Sequence, residues 1–190
     1  MFILYAVVIG VVIGLLLGGD PARLTKLSFH WKPVVFAGLL SQVILFNPAV
    51  AERIGDLGPW LYVASTAAVL AALLRNARIP GLPIVALGAF SNLLAIVANG
   101  GYMPASPAAM AAVGKAPPEG YSNSTLMTDP MLAPLTDIFA LPAWLPFANV
   151  FSIGDVLIGV GVVWAIVMAM RSGRFAPAPT PAESTQATST

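Results

Sequence analysis

Six polar side chains stand where this sequence could do chemistry: Asn92, Asn99, Tyr102, Asp137, Asn149 and Asp155. The two carboxylates could meet a cation or a cationic substrate. The carboxamides could both donate and accept hydrogen bonds, and the phenol could do either. Asn92 falls late in an uncharged stretch, Asn99 and Tyr102 follow that stretch directly, and the other three lie in or at the end of the next segment. This spacing suggests one outward-facing pocket for a ligand. Nothing around these residues completes a reaction. Tyr121, Ser122, Ser124 and Asp129 share the segment, but no base accompanies a nucleophile, so no catalytic residue is assigned. With no cysteine and a single histidine, His30, thiolate sites and multi-histidine metal or haem sites are excluded, and neither a metal nor a cofactor is expected.

The elements that must position these groups are written in the charge pattern. Of 190 residues, 58% are hydrophobic and only 9% charged, with a mean hydropathy of +0.86. An ordinary soluble domain is about 25% charged. A net charge of +1 lacks the basic excess of a nucleic-acid binder, so no nucleic-acid partner is expected. Five charge-poor windows approach the ~20 residues an α-helix needs to cross a bilayer: 1–19, 33–51, 57–74, 79–98 and 152–170. The first lacks a basic start, and Gly18-Gly19-Asp20-Pro21 is no cleavage site, so it reads as a retained helix rather than a secretory signal. The fold expected is all-α, an integral membrane bundle of five transmembrane helices over residues 1–172. Its outer connection, 99–151, should contain short interfacial helices. Residues 173–190, rich in Pro, Ala and Thr, should form a disordered cytoplasmic tail.

Basic residues orient the bundle. Arg23, Lys26, Lys32, Arg75, Arg78, Arg171 and Arg174 fall on one side of the windows, and only Arg53 and Lys115 on the other. Cationic loops stay in the cytoplasm, which puts the N-terminus outside and the C-terminus inside a multi-pass chain whose first partner is the lipid bilayer. No ionisable residue sits mid-span, which argues against a proton pump or a voltage sensor. Ser41, Gln42, Ser65, Thr66, Ser91 and Asn92 are the polar groups within spans, suited to interhelical hydrogen bonds or, for Gln42 and Asn92, to lining a substrate site.

Gly10, Gly14 and Gly18 recur at spacing four and form a small-residue stripe on the first helix, for packing within the bundle or against a partner. In the outer connection, Ser106-Pro107 should start a helix that Gly114 stops. Asp129-Pro130 should start another, with a greasy face of Met131, Leu132, Leu135, Ile138 and Phe139. Leu141-Pro142 and Leu145-Pro146 favour extended backbone, with Trp144 and Phe147 projecting. Asn123-Ser124-Thr125 has the pattern of a glycosylation acceptor. Ser152-Ile153-Gly154-Asp155 reads either as a capping box or as the acidic end of a site, and Asn99-Gly100 as a helix C-cap.

Asn99-Gly-Gly-Tyr-Met-Pro-x-Ser106, then Asp137 and Leu141-Pro142, then Phe151-Ser-Ile-Gly-Asp155 with Leu157-Ile158-Gly159, resembles a family of small bacterial integral membrane proteins known only as a domain of unknown function. The resemblance covers about residues 1–170 and implies a multi-helix bundle in a bacterial cytoplasmic membrane. It carries no activity, ligand or catalytic residue with it.

Two functions compete on these grounds. One is a non-enzymatic accessory or scaffold subunit of a membrane complex, meeting a membrane-protein partner through the outer segment or the first-helix glycines. The other is a small-molecule or lipid-binding protein, or a permease, with 99–151 as an outer lid. The second requires the polar groups to line one cavity.

Overall fold

The computed structural model describes residues 2–114 and 125–172; the expected tail, the Asn123–Ser124 pair, and Tyr121 and Ser122 lie outside the described residues. The described chain is mostly helical. Five long helices are α1 (Phe2–Leu16), α2 (Lys32–Leu45), α4 (Gly58–Arg75), α5 (Leu82–Ala98) and α7 (Ile153–Arg171), with short α3 (Pro48–Ile54) and α6 (Pro107–Ala112) between them. Two helical segments, Pro48–Arg75 and Ile153–Arg171, are long and apolar enough to cross a membrane; α1, α2 and α5 are apolar but shorter.

The long helices pack in the spatial order α1, α7, α5, α4, α2. Glycines set the closest approaches. Gly81, just before α5, faces Gly161, and Gly88 faces Gly154, so α5 and α7 run antiparallel with backbone against backbone. Gly10 lies against Val163 and Ile166, and Gly14 against Met170, so α1 runs parallel to α7. Along α2 and α4, Gly38 meets Val69, Gln42 donates to Ser65 Oγ (3.2 Å) and Thr66 Oγ1 (3.3 Å), and Phe46 meets Tyr62 edge-on. That pair is antiparallel. Gly101, just after α5, lies against Pro59 at the start of α4, so α4 and α5 are antiparallel too, and helices α1, α4 and α7 share one direction while α2 and α5 take the other. Where α4, α5 and α7 meet, a core of Leu70, Leu73, Leu82, Val85, Ala86 and Ala89 is buried.

Several expectations need correction. The window 33–51 is not one helix: it breaks after Leu45, because Pro48 has no N–H to continue the ladder and Asn47 instead caps α3, accepting from Ala49 N at 3.1 Å. Gly18 does not extend the α1 stripe. It lies beyond the helix end at φ +69°, and Gly19 makes the contact with Met170 instead. No α-helix follows Asp129-Pro130. Pro134 falls where a helix interior would need a donor, so the chain makes only a 3-10 turn at Ala133–Leu135. The segment is also not all-α. Among the described residues, β1 (Pro104–Ala105) pairs in parallel with β2 (Thr125–Leu126), and β3 (Phe139–Ala140) pairs antiparallel with β4 (Val150–Phe151). Trp144 and Phe147 do stand exposed, but on turns rather than on a continuous strand.

The connection from 99 to 151 has a core of its own among its described residues: Ala105, Ala109, Met110, Val113, Ala148 and Val150 are buried together. Ser106 caps α6, its Oγ accepting from Ala109 N at 3.0 Å, and Gly114 ends it in the left-handed region. The end of α5 closes with Gly101 N donating to Ile96 O (2.8 Å) and Gly100 N to Val97 O (3.3 Å), the paired bonds of a Schellman turn. Gly101 is needed for a second reason, since a Cβ there would strike Pro59 at the start of α4.

Candidate functional site

Asp155 sits at the third position of α7, where the sequence Ser-x-x-Asp closes a capping box. Asp155 N donates to Ser152 Oγ (3.0 Å) and Ser152 N donates to Asp155 Oδ2 (3.1 Å). The box is joined from the neighbouring helix. Asn92 Nδ2 donates to Asp155 Oδ1 (2.9 Å), while Ser152 Oγ donates to Asn92 Oδ1 (2.8 Å). Each end of the Asn92 amide therefore has the partner its polarity requires, and its orientation is fixed. Ser152 is fully buried. The absence of a side chain at Gly154 is what admits Asn92: a Cβ there would fall on Asn92 Oδ1 and lie 2.7 Å from Gly88 O. The capping and site readings of Asp155 are thus compatible, one carboxylate oxygen serving the cap and the other Asn92.

The same carboxylate lines a cavity of about 470 Å³. Asn92, Asp137, Asn149 and Asp155 all line it, as does Tyr62 from α4. Each is delivered by a different element. Asn92 comes from α5 and Asp155 from α7. Asp137 is placed by its backbone, with its N donating to Pro104 O (2.9 Å) and its O accepting from Ser106 N (3.0 Å). Asn149 is placed by the hairpin of β3 and β4, where Leu141 N donates to Asn149 O (3.0 Å). The facing wall is apolar and belongs to α1: Phe2, Ile3, Leu4 and Val7. Phe2 stacks on Phe151 at 4.7 Å, and Phe151 on Phe139 at 5.5 Å, so an aromatic column ties that wall to the hairpin.

The remaining two of the six residues lie elsewhere. Asn99 is a fastening: its Nδ2 donates to Ala95 O (2.8 Å) and Met131 O (2.9 Å), and its Oδ1 accepts from Met131 N (2.8 Å). It pins the 99–151 connection to the end of α5. Tyr102, half-buried, does not line the cavity. Tyr62 was not foreseen, because it sits inside an uncharged window that hydropathy alone counts as span. The available signal was its place near the start of that window, a phenol among otherwise mostly apolar neighbours.

The lining is amphiphilic. Two carboxylates, two carboxamides and a phenol oppose aliphatic and aromatic side chains, and no Lys, Arg or His is among the described lining residues. Such a surface solvates a positive head and an apolar body together.

Over residues 26–167 the chain matches a family of unknown function (DUF5317), and it belongs to that family. No curated protein and no solved structure matches it.

Proposed function

We propose that this family member is a non-enzymatic, multi-pass protein of the bacterial cytoplasmic membrane that binds a small molecule in its outer cavity, with residues 99–151 as the cover. The ligand class is a cationic head, an amine or quaternary ammonium, on an apolar body. One observation carries the reading: a carboxylate and a carboxamide from the helices, and another of each from the outer connection, line one cavity against an apolar α1 wall. Its volume of about 470 Å³ lies within the ~300–1,000 Å³ usual for small-molecule sites. The cavity favours binding over a purely scaffolding role.

Five crossings, with the N-terminus outside, supply the frame. Support comes from the alternating directions of α1, α2, α4, α5 and α7, and from their exposed surfaces. Phe36 and Val43 on α2 are each 71% exposed and Leu16 on α1 81%, an apolar surface that hydrocarbon would cover. Because the chain has no cysteine, single substitutions report topology directly. In intact cells, Arg53→Cys is expected to react with a membrane-impermeant maleimide. Lys26→Cys and Arg78→Cys should react only after permeabilisation. Equal labelling of all three, or the reverse pattern, would overturn the topology.

The ligand class is tested on purified protein in neutral detergent by thermal unfolding. Octyltrimethylammonium, held well below micellar concentrations, should raise the melting temperature by several degrees; octanoate, with the same chain and opposite charge, should not. The gain should shrink in Asp155→Asn. Identical responses to both probes, or a gain unchanged in the variant, would count against a cationic head.

A further inference from the structure

The opposite end of the bundle holds a second built pocket of opposite charge. Two adjoining cavities, about 490 and 280 Å³, share Leu27, Ile79 and Ser172 in their walls. The larger is lined by Arg23 and Lys26, from the 3-10 turn Pro21–Lys26, and the smaller by Arg78 and Arg171. Among the described residues, no acid lines either one. The nearby carboxylate of Asp20 pairs with Arg23 at 3.8 Å, so cations outnumber acids among the described residues at this end.

The frame around these cations is held from two sides. Asp20 N donates to Met170 O (2.9 Å), and the Arg23 guanidinium donates to Ser172 O, which together lock the 3-10 turn onto the end of α7. The stretch that follows is locked to the end of α4. His30 N donates to Asn76 Oδ1 (2.7 Å), and Asn76 Nδ2 donates to His30 O (2.8 Å) and Ala72 O (2.7 Å), with Asn76 only 3% exposed. Arg78 follows in the turn that leads to α5. Arg23, Lys26 and Arg78 are therefore presented by short, fastened connections, and Arg171 by the last turn of α7. Beside them the wall turns apolar, with Pro80, Ala165, Met168 and Ala169 adjoining Leu27 and Ile79.

We infer that this pocket binds a phosphate group carried on an anionic phospholipid, the phosphate between Arg23, Lys26, Arg78 and Arg171 and an acyl chain along Leu27, Ile79 and Met168. Guanidinium groups match phosphate oxygens in fork geometry, and a basic pocket at the ends of membrane helices is where lipid head groups are held. The apolar wall distinguishes a lipid from free phosphate, which has nothing to place there. The inference rests on the proposed membrane placement of the bundle but not on the outer cavity or the ligand proposed for it.

Native mass spectrometry of the full chain in neutral detergent tests it, with phosphatidylglycerol and phosphatidylcholine of identical chains offered at equal concentration. Each exposed basic residue near a head group is worth about fivefold in affinity. Phosphatidylglycerol adducts should thus predominate by about fivefold or more, and the preference should fall as salt is raised. Lys26→Gln with Arg78→Gln should bring the two lipids to near parity, whereas Arg53→Gln, at the other end, should leave the preference intact. No preference in the wild-type chain, a preference insensitive to salt, or one that survives the double substitution would overturn the assignment. Protection from thermal unfolding by inorganic phosphate equal to that by phosphatidylglycerol would instead make it a free-anion site and sink the lipid.

Discussion

Gly161→Ala is expected to destabilise the bundle strongly by wedging α5 away from α7. The new Cβ would lie 2.7 Å from both Gly81 O and Val85 N, and 2.6 Å from Val85 Cγ2. Two of those three atoms are backbone, so relief requires α5 and α7 to separate. Overpacking of this kind costs about 1–3 kcal/mol. The loss of the close contact along the seam adds to that, and the higher helix propensity of alanine returns at most ~1 kcal/mol. Gly88→Ala meets the same geometry from the other helix, its Cβ falling on Gly154 O and 2.8 Å from Ile158 N. The double substitution should leave little folded protein, given total stabilities of about 5–15 kcal/mol. Gly14→Ala provides the contrast. Its Cβ would meet the sulfur and terminal methyl of Met170, the far end of a flexible side chain, so the cost should stay below about 1.5 kcal/mol. Denaturation of the purified proteins in detergent checks the ranking. If Gly14→Ala proved as damaging as Gly161→Ala, the backbone contact of α5 with α7 would not be what holds the bundle.

That ranking also shows where sequence reading stopped. Counting uncharged windows located the five long helices, because a missing charge is visible one residue at a time. It did not see the break after Leu45: Pro48 and Asn47 are both uncharged, and only their backbone chemistry ends the helix. The stripe at spacing four in α1 was legible, whereas the Gly81–Gly88 and Gly154–Gly161 pairs, each seven residues apart, were not. Spacing seven repeats after two turns and marks a long shallow crossing, which becomes meaningful only when the partner helix is known.

The site was legible in part for a similar reason. Asp137, Asn149 and Asp155 stand out because carboxylates and carboxamides are scarce in an apolar chain. Asn99 looks identical by type, yet it spends its hydrogen bonds on Met131, a pairing no local spacing encodes. Pro134 was readable in the sequence but was outweighed by the periodicity of Met131, Leu132, Leu135 and Ile138. Helix periodicity over so few residues does not survive a missing donor.

Asn92→Asp is expected to be the most damaging change at the site itself. The substitution keeps the side chain's shape, so it neither opens a cavity nor strikes Gly154. The acceptor that takes the Ser152 hydroxyl is retained. Only the other end changes: a donor 2.9 Å from Asp155 Oδ1 becomes a second carboxylate oxygen. A favourable charge-assisted bond, worth about 1.5–3 kcal/mol, is replaced by repulsion between like charges in a partly desolvated setting. Asn92→Ala removes the same bond without the repulsion, leaving Asp155 Oδ1 and the buried Ser152 hydroxyl short of a partner, at about 2–4 kcal/mol. Thermal unfolding should therefore rank wild type above Asn92→Ala and Asn92→Asp lowest. The cationic-ligand reading adds a further consequence. A cavity with three carboxylates should gain more from a cation than one with two, so octyltrimethylammonium should recover a larger share of stability in Asn92→Asp than it adds to the wild type. Wild-type stability in Asn92→Asp would remove the Asn92–Asp155 bond as a structural element. A destabilised variant that the cation fails to rescue would leave the bond standing and count against a positive head in the cavity.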